Sequence, residues 1–373
     1  MSRPPSPSAS RRAPSRCPAP SSADPAAIPV TPRAAIVGLS GPVLTPEEAA
    51  LLRAERPLGV ILFARNVAAP TQLRALTAAI REILGAEAPI LVDQEGGRVA
   101  RLKPPHWERF PAAAAFEGMP EPAIRANALL LGATCVAEGL DVVCAPVLDL
   151  RIPGAHGVIG DRAYAADPAE IARCGAAVIA GLQAAGAIPV IKHIPGHGRS
   201  MADSHHELPR VGAGLAELAQ DIAPFRALAA SGAWAMTAHV LYEAWDASRP
   251  ATISARVIND IIRGEIGFDG VIVTDDLAMG ALQGTSNDLA GAALEAGCDV
   301  VLHCTGRLAE TAALLSACPR LSVRAEERLA AARAARDAFR DREPAALRSL
   351  RDATLGAASG AAAGDDPTAR PAA

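Results

Sequence analysis

Aromatic side chains are nearly missing from this chain: 3 Trp, 2 Tyr and 6 Phe make up 3% of 373 residues. A surface that stacks unpaired bases needs rings, so their scarcity argues against one. It also limits any site that would grip sugars by stacking. Strong charge of either sign is absent too, since 36 Lys+Arg against 40 Asp+Glu leave a net charge of −4. That balance gives no electrostatic footprint for nucleic acid. The cysteines Cys17, Cys135, Cys144, Cys174, Cys298, Cys304 and Cys318 are 7 in number, form no C-x-x-C pair and mostly sit in apolar runs. They read as buried thiols of a reducing cytosol, and neither a disulfide frame nor a zinc site is expected. A long lipid-like run is missing as well. The best candidate, 175–191, contains Gln183 and Pro189 and falls short of the roughly 20 residues a spanning helix needs. It is expected to be a buried helix followed by a strand, so no membrane partner is implied.

What the chain has in quantity is aliphatic bulk: half of it is hydrophobic, ample for a sizeable core. Residues 1–32 are Pro, Ser, Ala and Arg with almost no acid and no apolar signal core, so a disordered extension is expected there. A tail at 346–373, loose from about 358, is expected at the other end.

Between the ends, apolar β-branched runs at 34–39, 59–63, 90–95, 142–150, 189–194, 234–240, 270–275 and 299–303 read as strands. Helical patterns separate them at 46–56, 71–84, 123–139, 168–185, 215–230, 255–266, 287–297 and 309–317. Eight strands alternating with helices, several of them apolar throughout, predict an α/β fold: a single-domain parallel (β/α)8 TIM-like barrel over 33–345. No dinucleotide-type glycine fingerprint follows the first strand, as a doubly wound sheet would prefer. A final Arg/Ala/Glu helix at 323–341 is expected to pack on the outside.

In such a barrel the chemistry belongs at the C-terminal ends of the strands, and the polar residues lie there. The third strand runs into Asp93-Gln94-Glu95, the fifth into Lys192-His193, the sixth reaches His239 and the seventh ends at Asp275-Asp276. Lysine occurs only at 103 and 192, and Lys192 ends an apolar strand, where an ammonium must be paired or used. Beyond it, Asp203 and His205 stand two residues apart in a Gly/Pro-rich loop. In extended chain they point the same way, so Asp203 can orient His205 and stabilise its imidazolium, as a general acid/base near neutral pH requires. Capping of a turn by Asp203 beside an exposed His205 is the plainer alternative. A metal site is another, because His193, His197, Asp203 and His205 are close in sequence; Pro195-Gly196 breaks the helix that would align the first two. Of the adjacent carboxylates Asp275 and Asp276, one is expected to face the site and the other to brace a loop. A carboxylate nucleophile needs no base, which suits attack at an anomeric carbon. Asp93, Arg98, Arg101 and Arg162 are candidates to clamp hydroxyls or an amide.

Six segments taken together, 59–66, 93–101, 145–149, 159–162, 192–205 and 267–279, resemble glycoside hydrolase family 3. They are most similar to its single-domain bacterial β-N-acetylhexosaminidases of the NagZ type, in family order across about 34–340. Ile194 stands where the family often has Phe. Too little chain follows the last strand for the second sheet domain of family β-glucosidases.

The resemblance implies that Asp275 is the nucleophile and His205, partnered by Asp203, the acid/base. Asp93, Arg101, Arg162, Lys192 and His193 match positions that hold the N-acetylglucosamine (GlcNAc) unit. It further implies a retaining exo-hydrolase without metal or organic cofactor, acting in the cytoplasm on small carbohydrates or muropeptides during peptidoglycan recycling. A monomer is expected. A phosphorylase on the same site, a metal-dependent barrel hydrolase and a non-catalytic sugar-binding barrel are the alternatives.

Overall fold

The computed structural model describes residues 31–338 together with Met1. The expected extension at 1–32 and tail at 346–373 therefore lie almost wholly outside the described residues. Among the described residues ten strands occur in chain order: β1 (Arg33–Gly38), β2 (Pro57–Leu62), β3 (Ile90–Val92), β4 (Val142–Val143), β5 (Ile188–Ile194), β6 (Arg210–Val211), β7 (Trp234–Thr237), β8 (Leu241–Tyr242), β9 (Ile272–Asp276) and β10 (Val300–His303). Eight of them close into a parallel barrel in the order β1-β2-β3-β4-β5-β7-β9-β10, with β10 pairing back onto β1 through Ala35 opposite Val301. The short strands β6 and β8 form a separate parallel pair, Arg210 opposite Leu241.

Helices fill the crossovers: α1 (Pro46–Glu55), α2 (Pro70–Leu84), α3 (Glu121–Ala137), α4 (Pro168–Ala184), α5 (Leu215–Ala227), α6 (Ser286–Ala296) and α7 (Leu308–Ala317). Their starts are written locally. Thr45 caps α1 by accepting from the amide of Glu48, whose side chain accepts in turn from the amide of Thr45, and Pro46 opens the helix. The segment expected as an α-helix at 255–266 winds instead as a π-helix, Val257–Glu265, with the Ile266 amide donating to Ile261 O, five residues back. The strand expected at 142–150 pairs regularly over only Val142–Val143. Past them Pro146 brings no amide, and contact with β5 continues through single bonds such as Leu148 N to Lys192 O.

Two apolar layers follow from the alternation of side chains. One lies between barrel and helices and includes Val37, Val60, Val92, Ile191 and Ile272. The other fills the barrel interior with Ile36, Leu91, Val142, Val190, Trp234 and Val273. Leu321, Ala325, Leu329 and Ala332 join the interior layer; the last three belong to the final helix α8 (Val323–Ala338). This corrects the expectation that α8 packs only on the outside. Its composition is polar, but a four- and three-residue spacing puts one small apolar face against the interior. Arg328, on the same helix, is tied to Asp269 and Asp299 at 2.7 and 2.8 Å. Leu329→Ala should therefore cost about 2–4 kcal/mol of unfolding free energy, read from the midpoint of urea denaturation with an unchanged slope.

Candidate active site

The sequence after β3 makes a tight return. Gly96 and Gly97 take positive φ of 98° and 59°, and a Cβ on Gly96 would meet Pro111 O at 2.2 Å. Buried Gln94 holds the return closed: its Oε1 accepts from the amides of Arg101 and Leu102 at 2.8 and 3.0 Å. Arg101 is thereby brought back onto Asp93, donating from Nη2 to Oδ2 at 3.1 Å.

From there a line of alternating charges crosses the barrel mouth. Lys192 Nζ sits between Asp93 Oδ1 at 2.8 Å and Glu95 Oε1 at 2.6 Å. Glu95 also takes the fork of Arg162, Nε to Oε2 and Nη2 to Oε1, both at 2.9 Å. Arg162 Nη2 lies 3.5 Å from His193 Nε2, and His193 Nδ1 lies 2.6 Å from Asp149 Oδ2. Burial alone would raise the carboxyls of Asp93 and Glu95, but Lys192, Arg101 and Arg162 outweigh it. Asp93 is held far below the carboxylate range and Glu95 near about 2. The same pairings push Lys192 and Arg162 up in spite of their burial, so each ion is locked in its charged form.

The loop after β5 carries the second set. Its Gly198 has no room for a Cβ, which would meet Leu150 O at 2.1 Å. Asp203 Oδ1 accepts from the His205 amide at 2.9 Å and faces His205 Nδ1 at 2.7 Å. Burial would raise Asp203, yet the amide and ring of His205 hold it below its ordinary range, so a negative charge stands behind the imidazole. Two backbone bonds tie this loop to the turn after β9, Gly280 N to His205 O at 3.2 Å and Ala281 N to Ser204 O at 3.1 Å.

Asp275 and Asp276 end β9. The Asp276 carboxylate braces the chain, accepting at Oδ1 from the amides of Ala278 and Cys304, both at 3.0 Å. Asp275 accepts from the Asp276 amide at 2.8 Å. Burial pushes its carboxyl up, but His239, His193 and His205 together hold it below the usual value, an ionised carboxylate.

These groups border a solvent-open cavity of about 620 Å³ at the C-terminal ends of the strands. Of the eight site residues expected from sequence, Asp93, Arg162, Lys192, His193, His205 and Asp275 line it. Arg101 stands behind Asp93, and Asp203 behind His205. Arg98 serves the loop instead, donating to Asp161 and to the carbonyls of Gly157, Val158 and Ile159. His197 is buried with its Nε2 3.2 Å from Ser204 Oγ, and burial pushes its pKa down to about 4. His239 is buried against Thr252 Oγ1 and Asp276 O. Among the described residues no three His, Cys, Asp or Glu side chains converge as metal ligands. Phe63 is, among the described residues, the one Phe, Tyr or Trp that lines the cavity. All six described cysteines are buried, and no helix among the described residues is long and apolar enough to cross a membrane.

Glu95 and Asp149 are the members that reading of the sequence left without a role. Each lies 44 or more residues from the partner it fixes, and the only local signal was the lone Lys192, which had to find a carboxylate.

A ligand entering this recess meets an ionised carboxylate and a histidine backed by another, set among buried polar groups that can bind hydroxyls. Fold and site together define an α/β-barrel glycoside hydrolase. The glycosyl hydrolase family 3 N-terminal domain matches residues 39–336, and the chain belongs to that family. It is 43% identical over 283 residues to a β-hexosaminidase of Alkalilimnicola ehrlichii, covering 72% of this chain and 80% of the relative. With a β-hexosaminidase of Pseudomonas aeruginosa the identity is 40% over 299 residues, 79% of this chain and 89% of the other. Among solved structures, NagZ from Neisseria gonorrhoeae in complex with N-trifluoroacetyl-D-glucosamine superposes with a TM-score of 0.78 at 33% identity, over 88% of this chain and 99% of that one. A family 3 β-N-acetylglucosaminidase from Paenibacillus matches at 0.73 and 34% identity over 83% of this chain, which spans 62% of that longer protein.

Proposed function

We propose that this hydrolase is a retaining exo-β-N-acetylglucosaminidase that releases terminal β-linked GlcNAc from small carbohydrates, with cytoplasmic anhydro-muropeptides of peptidoglycan recycling as the expected substrates. The observation that carries the reading is that Asp275, ionised, and His205, backed by Asp203, border one cavity. Asp275 attacks the anomeric carbon as the glycosidic C–O bond breaks, and His205 gives its Nε2 proton to the departing oxygen. Water then attacks the same carbon, His205 takes its proton, and the Asp275 ester bond breaks. Asp93, Arg162, Lys192 and His193 hold the sugar by hydrogen bonds, with Arg101 acting through Asp93. The scarcity of Phe, Tyr and Trp around the cavity, where Phe63 alone is found among the described residues, and the relatives' names support a pocket for one amino sugar.

Proton NMR of the first product should show the β anomer, and an initial α anomer would overturn the retaining scheme. The same assay in phosphate should still give free GlcNAc. GlcNAc-1-phosphate as the main product would make the protein a phosphorylase instead. Lys192 and Arg162 speak for water, since both already carry carboxylate partners and neither is a bare cation awaiting phosphate.

A further inference from the structure

We infer that Asp149 is a positioning residue that fixes the tautomer of His193, so that His193 presents Nε2 to the sugar as a hydrogen-bond acceptor. Asp149 is fully buried, with no exposed surface. Its Oδ1 accepts from the amides of His197 at 2.6 Å and His193 at 3.2 Å, and its Oδ2 faces His193 Nδ1 at 2.6 Å. Two backbone amides thus aim the carboxylate at one ring nitrogen. Burial would raise Asp149, but the rings of His193 and His197 hold it below its ordinary value, so it is acceptor-only and the proton of the contact sits on Nδ1.

The other side of the ring gives the same answer independently. His193 Nε2 is 3.5 Å from Arg162 Nη2, and a guanidinium has only donors. A proton on Nε2 would set donor against donor. Arg162 cannot turn away, because Glu95 holds Nε and Nη2 at 2.9 Å and Val158 O takes Nη1 at 3.2 Å. His193 lines the cavity, while Asp149 is not among the residues that line it. A ligand hydroxyl arriving here therefore donates to Nε2 and can accept from the cations beside it. A group unable to donate, such as an ether oxygen at that position, leaves Nε2 with only the 3.5 Å contact to Arg162 Nη2.

This inference rests on the sugar-cavity reading, but its first test does not. In protein labelled with ¹⁵N-histidine, the His193 ring of the free enzyme should give the chemical shifts of an Nδ1–H, Nε2-acceptor tautomer, and the opposite pattern overturns the assignment whatever the enzyme cleaves. Asp149→Asn can turn its amide NH2 toward Nδ1 and force the proton to Nε2, the kind of change that leaves geometry intact but presents the wrong face of an imidazole. It should raise KM for an aryl N-acetyl-β-glucosaminide by roughly 10- to 100-fold, the range for losing a charged-group hydrogen bond, with a smaller effect on kcat. In a His193→Gln background the Asp149 substitution should add less than about threefold. Full additivity in the double variant, or an unchanged KM in the single one, would show that Asp149 does not act through His193.

Discussion

Asp275→Ala should lower kcat on an aryl N-acetyl-β-glucosaminide by roughly 10⁴-fold or more while the Kd for GlcNAc stays within about threefold. The two halves of that expectation come from different residues. No neighbouring carboxylate can take over the attack, because Asp276 is occupied by the amides of Ala278 and Cys304. On the proposed reading, binding by contrast resides in Asp93, Arg162, Lys192 and His193, whose ion pairs do not include Asp275. Its carboxyl is held below the ordinary 3.8, so the acid limb of kcat/KM that belongs to Asp275 should lie below that pH. Steady-state kinetics and calorimetric titration with GlcNAc measure both halves. A variant that kept kcat within tenfold would remove Asp275 from the chemistry. A variant that lost GlcNAc binding in step with kcat would make it a binding residue.

The barrel itself was legible because buried strands and amphipathic helices are written in local periodicity. All eight strand runs fall on observed barrel strands, and the ends that drift do so for local reasons, as where Pro146 interrupts regular pairing after Val143. The π-helix at Val257–Glu265 was not legible: one extra residue per turn shifts the hydrogen bonds without changing which residues are apolar. Of the site, a sequence shows what lies at the end of a strand and not what stands across the mouth. Asp275 and Lys192 announced themselves as polar groups closing apolar runs, and His205 as the partner of Asp203 in a Gly/Pro-rich loop. Glu95 looked like one residue of a turn, and only the closed barrel places its carboxylate on Arg162 and Lys192. Asp149 was hidden because its partner His193 lies on the neighbouring strand, 44 residues further along the chain.

The buried charges also explain how Lys192 and Arg162 can border the proposed sugar site without making it an anion trap. Arg101, Lys192 and Arg162 are matched against Asp93 and Glu95 in contacts of 2.6 to 3.1 Å. Each pair fixes the direction of the donors, so hydroxyls meet oriented N–H groups at little further cost in side-chain entropy. Breaking one pair by truncation leaves its partner buried and uncompensated, which is why such substitutions should damage folding as well as binding.

Replacing His205 with alanine should separate substrates by their leaving groups. Natural sugar aglycones depart as poor leaving groups and need a proton in the transition state, so kcat/KM on a GlcNAc disaccharide should fall by roughly 10²- to 10⁴-fold. A 2,4-dinitrophenyl aglycone leaves as a stable anion and needs no proton, so its kcat/KM should change little, within about threefold. The second step still needs a base, so kcat on that substrate should drop and a burst of dinitrophenol should precede it. Asp203→Asn should show the same selectivity in weaker form, because the imidazole remains but loses the carboxylate 2.7 Å from Nδ1 that stabilises its charged form. Equal losses on both aglycones would mean that His205 positions the sugar and does not carry the proton. The loop's ties to Gly280 and Ala281 make the comparison sharp: they run through backbone atoms, and alanine at 205 leaves them in place.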